Sequence, residues 1–148
     1  MSFYSVAVII CSPIIGNLMM IMGRRNTVAT GMMCMGLSFL TFALIPYLGN
    51  STLYIILSMF ARFMHGMAYS SIQTAVYSIG INFFPNNKQA ILGYIESSVG
   101  IGCVLGPIIG SAIYAVAGVK FIFWSFAAFF IFGSFVTKCV MSEKVDIA

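Results

Sequence analysis

Five runs of apolar residues, each near the length of one bilayer crossing, set the architecture open to this chain. A helix needs about 20 apolar residues to cross the hydrocarbon of a membrane. The runs cover about 3–21, 28–47, 53–79, 90–116 and 121–138, and they leave no length for a second, water-soluble domain. The punctuation is Gly23-Arg24-Arg25-Asn26, then Pro46 with Gly49-Asn50-Ser51, then Phe83 to Lys88, then Gly118-Val119-Lys120. Only 7% of the 148 residues are charged, against roughly a quarter in a soluble domain, so most of the surface must face lipid or other helices. In hydrocarbon only helices and closed barrels satisfy every backbone group, and the runs lack the alternation of barrel strands. The expectation is an all-α membrane protein of about five transmembrane helices. One transmembrane helical domain spans 1–141, and a cytosolic, solvated tail spans 142–148. Because the turns are short, sequential helices are expected as antiparallel neighbours.

The net charge of +4 does not mark a nucleic-acid surface. Only Arg24 and Arg25 are adjacent; Arg62, Lys88, Lys120, Lys138 and Lys144 are scattered. In a membrane protein such an excess reports topology. If the spans alternate, Arg24, Arg25, Lys88, Lys138 and Lys144 share one side, which is then cytosolic, and Lys120 lies on the other. Met1 falls on the lumenal or extracellular side. Residues 2–10 carry no preceding Lys or Arg, so the basic start of a signal peptide is missing and the run reads as a retained span. Cys11, Cys34, Cys103 and Cys139 sit within or at the ends of apolar runs, with no metal-ligand spacing, and read as small membrane-core residues.

Three ionisable residues interrupt the apolar runs: Arg62 and His65 in the third, and Glu96 in the fourth. Such groups cost several kcal/mol near the bilayer centre and tend to face a protein interior or a water-filled path. Arg62, His65, Tyr69 and Gln73 follow spacings of three, four and four, which places them on one helical stripe. Gly66, Ser70 and Thr74 run beside it as a close-packing face. The stripe reads as cavity lining, with hydrogen bonding to neighbouring helices as the bland alternative. Glu96 enters about two turns into the fourth span, too far from Arg62 for a direct ion pair, though both fit one continuous path. Its bland alternative is a hydrogen bond to a loop. Ser98, Gly102, Gly106 and Gly110 repeat at spacing four, a pattern that lets another helix approach closely, and Pro107 removes one backbone donor there. One histidine, no aspartate within a span and no nucleophile motif leave hydrolytic and metal chemistry unsupported, so no enzyme and no cofactor are expected.

These motifs together resemble the major facilitator superfamily. Gly102-x-x-x-Gly106-Pro107-x-x-Gly110 is similar to the fifth-helix motif of its antiporters, and Arg62-Phe63-Met64-His65-Gly66 to the fourth-helix motif. Pro13-Ile14-Ile15-Gly16-Asn17-Leu18 through Gly23-Arg24-Arg25 resembles the loop between helices two and three. The stretch from Phe84-Pro85-Asn86-Asn87 through Leu92-Gly93, Glu96 and Leu105-Gly106-Pro107 is most similar to the vesicular amine transporters, and among them to the polyamine (drug:proton antiporter) branch. The resemblance covers nearly the whole chain but only helices two to six of twelve, so it implies a partial N-terminal half of the fold, with Met1 standing after a lost first helix. It departs from the family at Met20 and Ile21, where an Asp and an Arg are usual, and at His65, where Gln is usual. The first departure bears on the gate, the second on proton coupling.

What the resemblance implies is proton-coupled antiport of amines or organic cations, as a fragment completed by the missing transporter helices or a partner subunit. The substrate and proton path would be Arg62, His65, Tyr69, Gln73 and Glu96; the gating loop would be Gly16, Gly23, Arg24 and Arg25. Gly102, Gly106, Pro107 and Gly110 would form the packing hinge. The partners are the lipid bilayer, protons and a small organic cation, and the resemblance points to a vesicular membrane, with the plasma membrane as the alternative. A non-transporting structural membrane subunit, or an inactive truncated product, is the competing expectation.

Overall fold

The computed structural model describes the backbone of residues 2–47 and 51–141, and side chains from Tyr4 onward within those stretches. The expected tail at 142–148 and part of the second turn lie outside the described residues. All regular structure among the described residues is helical: α1 is Ser2–Met22, α2 is Arg24–Leu44 with a 3-10 turn at Ile45–Tyr47, and α3 is Ser51–Phe83. A helical run Lys88–Val140 follows, broken at Gly118 into α4 (88–117) and α5 (119–140). The run is 53 residues long, about 80 Å if straight and more than twice one crossing. Breaking it allows two passes. With α1 and α2, this run meets the length and apolarity of a membrane span. Helix α3, interrupted by Arg62, His65 and Gln73, falls outside that set.

Two of the expected turns contract to single residues. Gly23 (φ 84, ψ 154) separates α1 from α2, and Gly118 (φ 78, ψ 175) separates α4 from α5. Both sit at positive φ, where a Cβ would be strained and glycine is not. The expected turn residues Arg24–Asn26 instead form the first turn of α2, and Lys120 lies inside α5. Local bonds hold the first break closed: Gly23 N–H donates to the Met19 carbonyl at 3.0 Å, and Thr27 Oγ1 donates to the Gly23 carbonyl at 2.8 Å.

Helix α2 is the centre of the fold, packed along α3 on one side and along α5 on the other, while α1 lies on α3. The expectation that sequential helices are neighbours therefore holds for α2 and α3 but fails for α1 and α2, which touch only sparsely. Side-chain volume decides the pairing rather than chain adjacency. A Cβ on Gly66 would lie 2.8 Å from both the Tyr4 carbonyl oxygen and the Ala7 Cβ, so α1 rests directly on the α3 backbone. Gly36 receives Ile131 of α5 in the same way, with its missing Cβ position 2.6 Å from Ile131 Cγ1.

Without a hydrophobic force between helices in lipid, small residues and interhelical hydrogen bonds carry association. Each main contact has one. Ser12 and Ser70 hydroxyls meet at 2.9 Å between α1 and α3. Ser38 Oγ donates to the Ala61 carbonyl at 2.8 Å between α2 and α3. Ser134 Oγ donates to the Ala29 carbonyl at 2.7 Å between α2 and α5. Each contributes about 0.6 kcal/mol. The α2–α5 contact is also held at both ends: Lys120 Nζ stands 4.1 Å from the Tyr47 ring centroid, and the Arg25 guanidinium donates to the Lys138 carbonyl.

The chain exposes 9451 Å², where a compact soluble chain of 16.1 kDa would expose about 7,400 Å². Much of that surface is apolar, with Phe129, Phe132 and Phe135 on α5 and Met20 and Ile21 at the end of α1 all exposed. The α4 helix is the most open. The four cysteines are free thiols; Cys11 is buried and Cys103 and Cys139 are exposed.

Candidate functional site

The polar stripe of α3 is bordered by rings from two other helices. Tyr4 of α1 lies between two stripe residues, its ring centroid 6.0 Å from His65 and 5.9 Å from Tyr69. Phe39 of α2 meets His65 edge-on at 5.1 Å and stacks on Phe126 and Phe130 of α5, each at 5.6 Å. His65 is therefore half-buried where α1, α2 and α3 converge, and its ring is held by aromatic packing. Phe39 lies at the centre of this cluster and was not among the expected site residues. Sequence spacing within α3 could not reveal it because it belongs to another helix.

Arg62 lies one turn before His65, with its guanidinium carbon 5.1 Å from the Phe42 ring centroid. The negative face of the ring partly offsets the loss of water around the cation. Phe42 is backed by Phe123 of α5 at 5.7 Å. The side chain of Arg62 is exposed, so its charge faces the open side of the stripe.

The opposite end of the stripe carries a chain of hydrogen bonds. Gln73 Nε2 donates to the Tyr77 hydroxyl at 3.4 Å, and that hydroxyl donates to Glu96 Oε1 on α4. The bland expectation of a loop partner for Glu96 is replaced by a helix-to-helix bond. Tyr77 was also missed, although it is the next step of four after Gln73 and continues the expected stripe. Arg62 and Tyr77 are 15 residues apart, about 22 Å along the helix. The structure thus places Arg62 and Glu96 at the two ends of one face without a direct contact, while His65, Tyr69 and Gln73 lie between them.

Of the residues expected in the gating loop, Gly23, Arg24 and Arg25 are consecutive at the α1–α2 break, and Gly16 lies about two turns earlier on α1. Gly23 makes the break itself, and Arg24 and Arg25 open α2. A Cβ at Gly16 would meet nothing within 4 Å. Met20 and Ile21 are 82% and 83% exposed, so the positions that depart from the usual loop pattern present apolar side chains outward.

The fifth-helix motif is similarly open. Cβ atoms added at Gly102, Gly106 or Gly110 would meet nothing within 4 Å, and α4 runs continuously through Pro107. Gly106→Leu is accordingly expected to leave the thermal stability of this chain in detergent unchanged to within about 0.5 kcal/mol. A fall in its thermal midpoint well beyond that would show that α4 packs on another helix of the same chain.

The family model described as Major Facilitator Superfamily matches residues 1–145. The chain belongs to this superfamily. It is 27% identical to the MFS-type transporter SLC18B1 of Homo sapiens over 110 residues, which cover 74% of this chain and 24% of that protein. The Rattus norvegicus protein of the same name is 27% identical over 122 residues, covering 81% of this chain and 27% of its own length. No solved structure matches the chain. The chain spans about a quarter of the length of these relatives. Superfamily membership, with helices long and apolar enough to cross a bilayer, makes this an integral, multi-pass, all-α membrane protein. Major facilitators are a family of transporters rather than of enzymes.

Proposed function

We propose that this chain takes part in proton-coupled antiport of amines or other organic cations, together with further transporter helices from the same polypeptide or a partner subunit. The observation that carries this reading is the continuous polar face of α3, with the Arg62 cation at one end and the Glu96 carboxylate delivered to the other by Tyr77. A carboxylate accepts either a proton or an ammonium group, and mutually exclusive occupancy is the elementary requirement for exchanging one for the other. Arg62 sets a positive potential at the far end of the path and excludes cations from resting there. In major facilitators the path lies between two halves that rock about it. The open faces of α4 and the exposed surface supply area for such a second half. Setting aside Arg62 within α3, five of the other six cations share one side if the spans alternate, and that side is the cytosol.

The exposed small-residue face of α4 also suits a structural subunit that packs on a larger complex and carries nothing. Proton-driven uptake separates the two. Membrane vesicles containing the full polypeptide, with an acidic interior, are expected to accumulate radiolabelled spermidine or an aromatic monoamine. Glu96→Gln is expected to reduce the rate at least about tenfold at equal protein level, about 1.4 kcal/mol. Uptake unchanged by the substitution would remove Glu96 from the path. No accumulation by correctly inserted wild-type protein would favour the structural subunit.

A further inference from the structure

The geometry points to Tyr77 as the positioning residue that holds the Glu96 carboxylate on the polar face of α3, with Gln73 bracing its phenol. This rests on Glu96 being the charge site of the proposed exchange.

The α3–α4 contact is confined to the turns beside the 84–87 connection. It has two parts. Gly80 lacks the Cβ that would stand 2.9 Å from Ile91 Cγ2 and 3.2 Å from Ile95 Cδ1, so the first turns of α4 lie close against α3. Beyond Ile95 the closing contact is the hydrogen bond from Tyr77 to Glu96. Farther along α4 the helix leaves the bundle, and Gly100, Gly102, Gly106 and Gly110 face open space.

Glu96 is exposed on α4, and the Tyr77 phenol is its hydrogen-bond partner among the described residues. The order of donors gives the bond a direction. The Gln73 amide donates to the phenol oxygen, which leaves the phenol proton free to donate to the carboxylate. Such chained bonds polarise one another and strengthen the terminal one. Oε1 is thereby anchored to α3, and the other carboxylate oxygen is available to a proton or an ammonium group. Without the phenol hydroxyl, Glu96 keeps its carboxyl group but loses the bond that aims it. Tyr77 touches Glu96 rather than any transported group, so its effect must pass through Glu96.

Tyr77→Phe removes the hydroxyl and keeps the ring, which leaves the Gly80 contact intact. In vesicles containing the full polypeptide, it is expected to raise the KM for spermidine about five- to tenfold with Vmax within about twofold. Such a split marks lost binding geometry rather than lost protein. In a Glu96→Gln background the same substitution is expected to change nothing further, because residues acting through one another are non-additive. Equal effects of Tyr77→Phe with and without Glu96 would overturn the proposal, as would unchanged KM in the single variant while Glu96→Gln impairs uptake. Wild-type kinetics in Glu96→Gln would instead overturn the role of Glu96. A second readout needs no transport: the rate at which dicyclohexylcarbodiimide modifies Glu96, located by peptide mass. The phenol caps one carboxylate oxygen, so labelling is expected to be severalfold faster in Tyr77→Phe, and an unchanged rate overturns the positioning role.

Discussion

Leucine at Gly66 is expected to force α1 away from α3 and destabilise the chain by about 2–3 kcal/mol. The contact there leaves no room for adjustment. A Cβ would stand 2.8 Å from the Tyr4 carbonyl oxygen, which is backbone, and 2.8 Å from the Ala7 Cβ. Neither neighbour is the flexible end of a side chain, so the helices must separate by the width of the added atoms. Separation would also lengthen the Ser12–Ser70 bond, now 2.9 Å, and draw the Tyr4 ring from between His65 and Tyr69. The check is the thermal midpoint of the detergent-solubilised chain, which should fall on the order of 5–10 °C. Gly66→Ala should fall less but still measurably. A leucine variant as stable as wild type would show that α1 does not rest on this glycine. Gly102→Leu is the matched control, since its added atoms meet nothing within 4 Å.

The contrast between these two glycines shows which part of the fold is legible in sequence. Both belong to small-residue stripes at spacing four, and the pattern alone reads them alike. Gly66 and Ser70 are buried against α1, whereas Gly102 is exposed. Spacing identifies a face on which a helix can pack, but the occupant depends on the rest of the assembly. The same distinction explains the misassigned neighbours. Short turns bring chain ends together, yet α1 lies on α3 because Gly66 admits it, and α5 lies on α2 because Gly36 admits Ile131. The breaks themselves were readable as turns, but their compression to Gly23 and Gly118 was not. Polar residues beside a glycine suggest a longer loop, whereas a single positive-φ residue suffices to redirect the chain.

The candidate site divides along the same line. Its stripe within α3 follows from helical periodicity, and Tyr77 would have joined it had the spacing been extended one step beyond Gln73. Phe39 and Phe42 are different. They meet the stripe from α2, where they are two of many apolar residues, and only packing distinguishes them. Charge is legible because its burial is costly, but the rings that make it tolerable look like any other membrane residue.

Arg62→Leu is expected to abolish uptake, by about a hundredfold or more, while leaving the amount of inserted protein equal or higher. A hundredfold loss corresponds to about 2.7 kcal/mol. The two halves of this expectation have opposite signs for a physical reason. On insertion scales an arginine at the centre of a span costs about 2.5–3.5 kcal/mol, and leucine removes that cost. What is lost is the contact with the Phe42 face at 5.1 Å, about 1 kcal/mol for a partly exposed pair. A residue kept only for architecture would therefore be replaced with a gain. Arg62→Lys sharpens the reading, since it keeps the charge but gives up the planar group that lies over the ring. Uptake intermediate between wild type and Arg62→Leu is expected for it. Normal uptake in the leucine variant would reduce Arg62 to a ring-packing residue and confine the transport path to the Tyr77–Glu96 end of α3. Loss of uptake with undiminished insertion would tie function to a charge about 22 Å along the helix from Tyr77, with no direct bond between them. Exchange would then depend on the potential along the whole α3 face rather than on one ion pair.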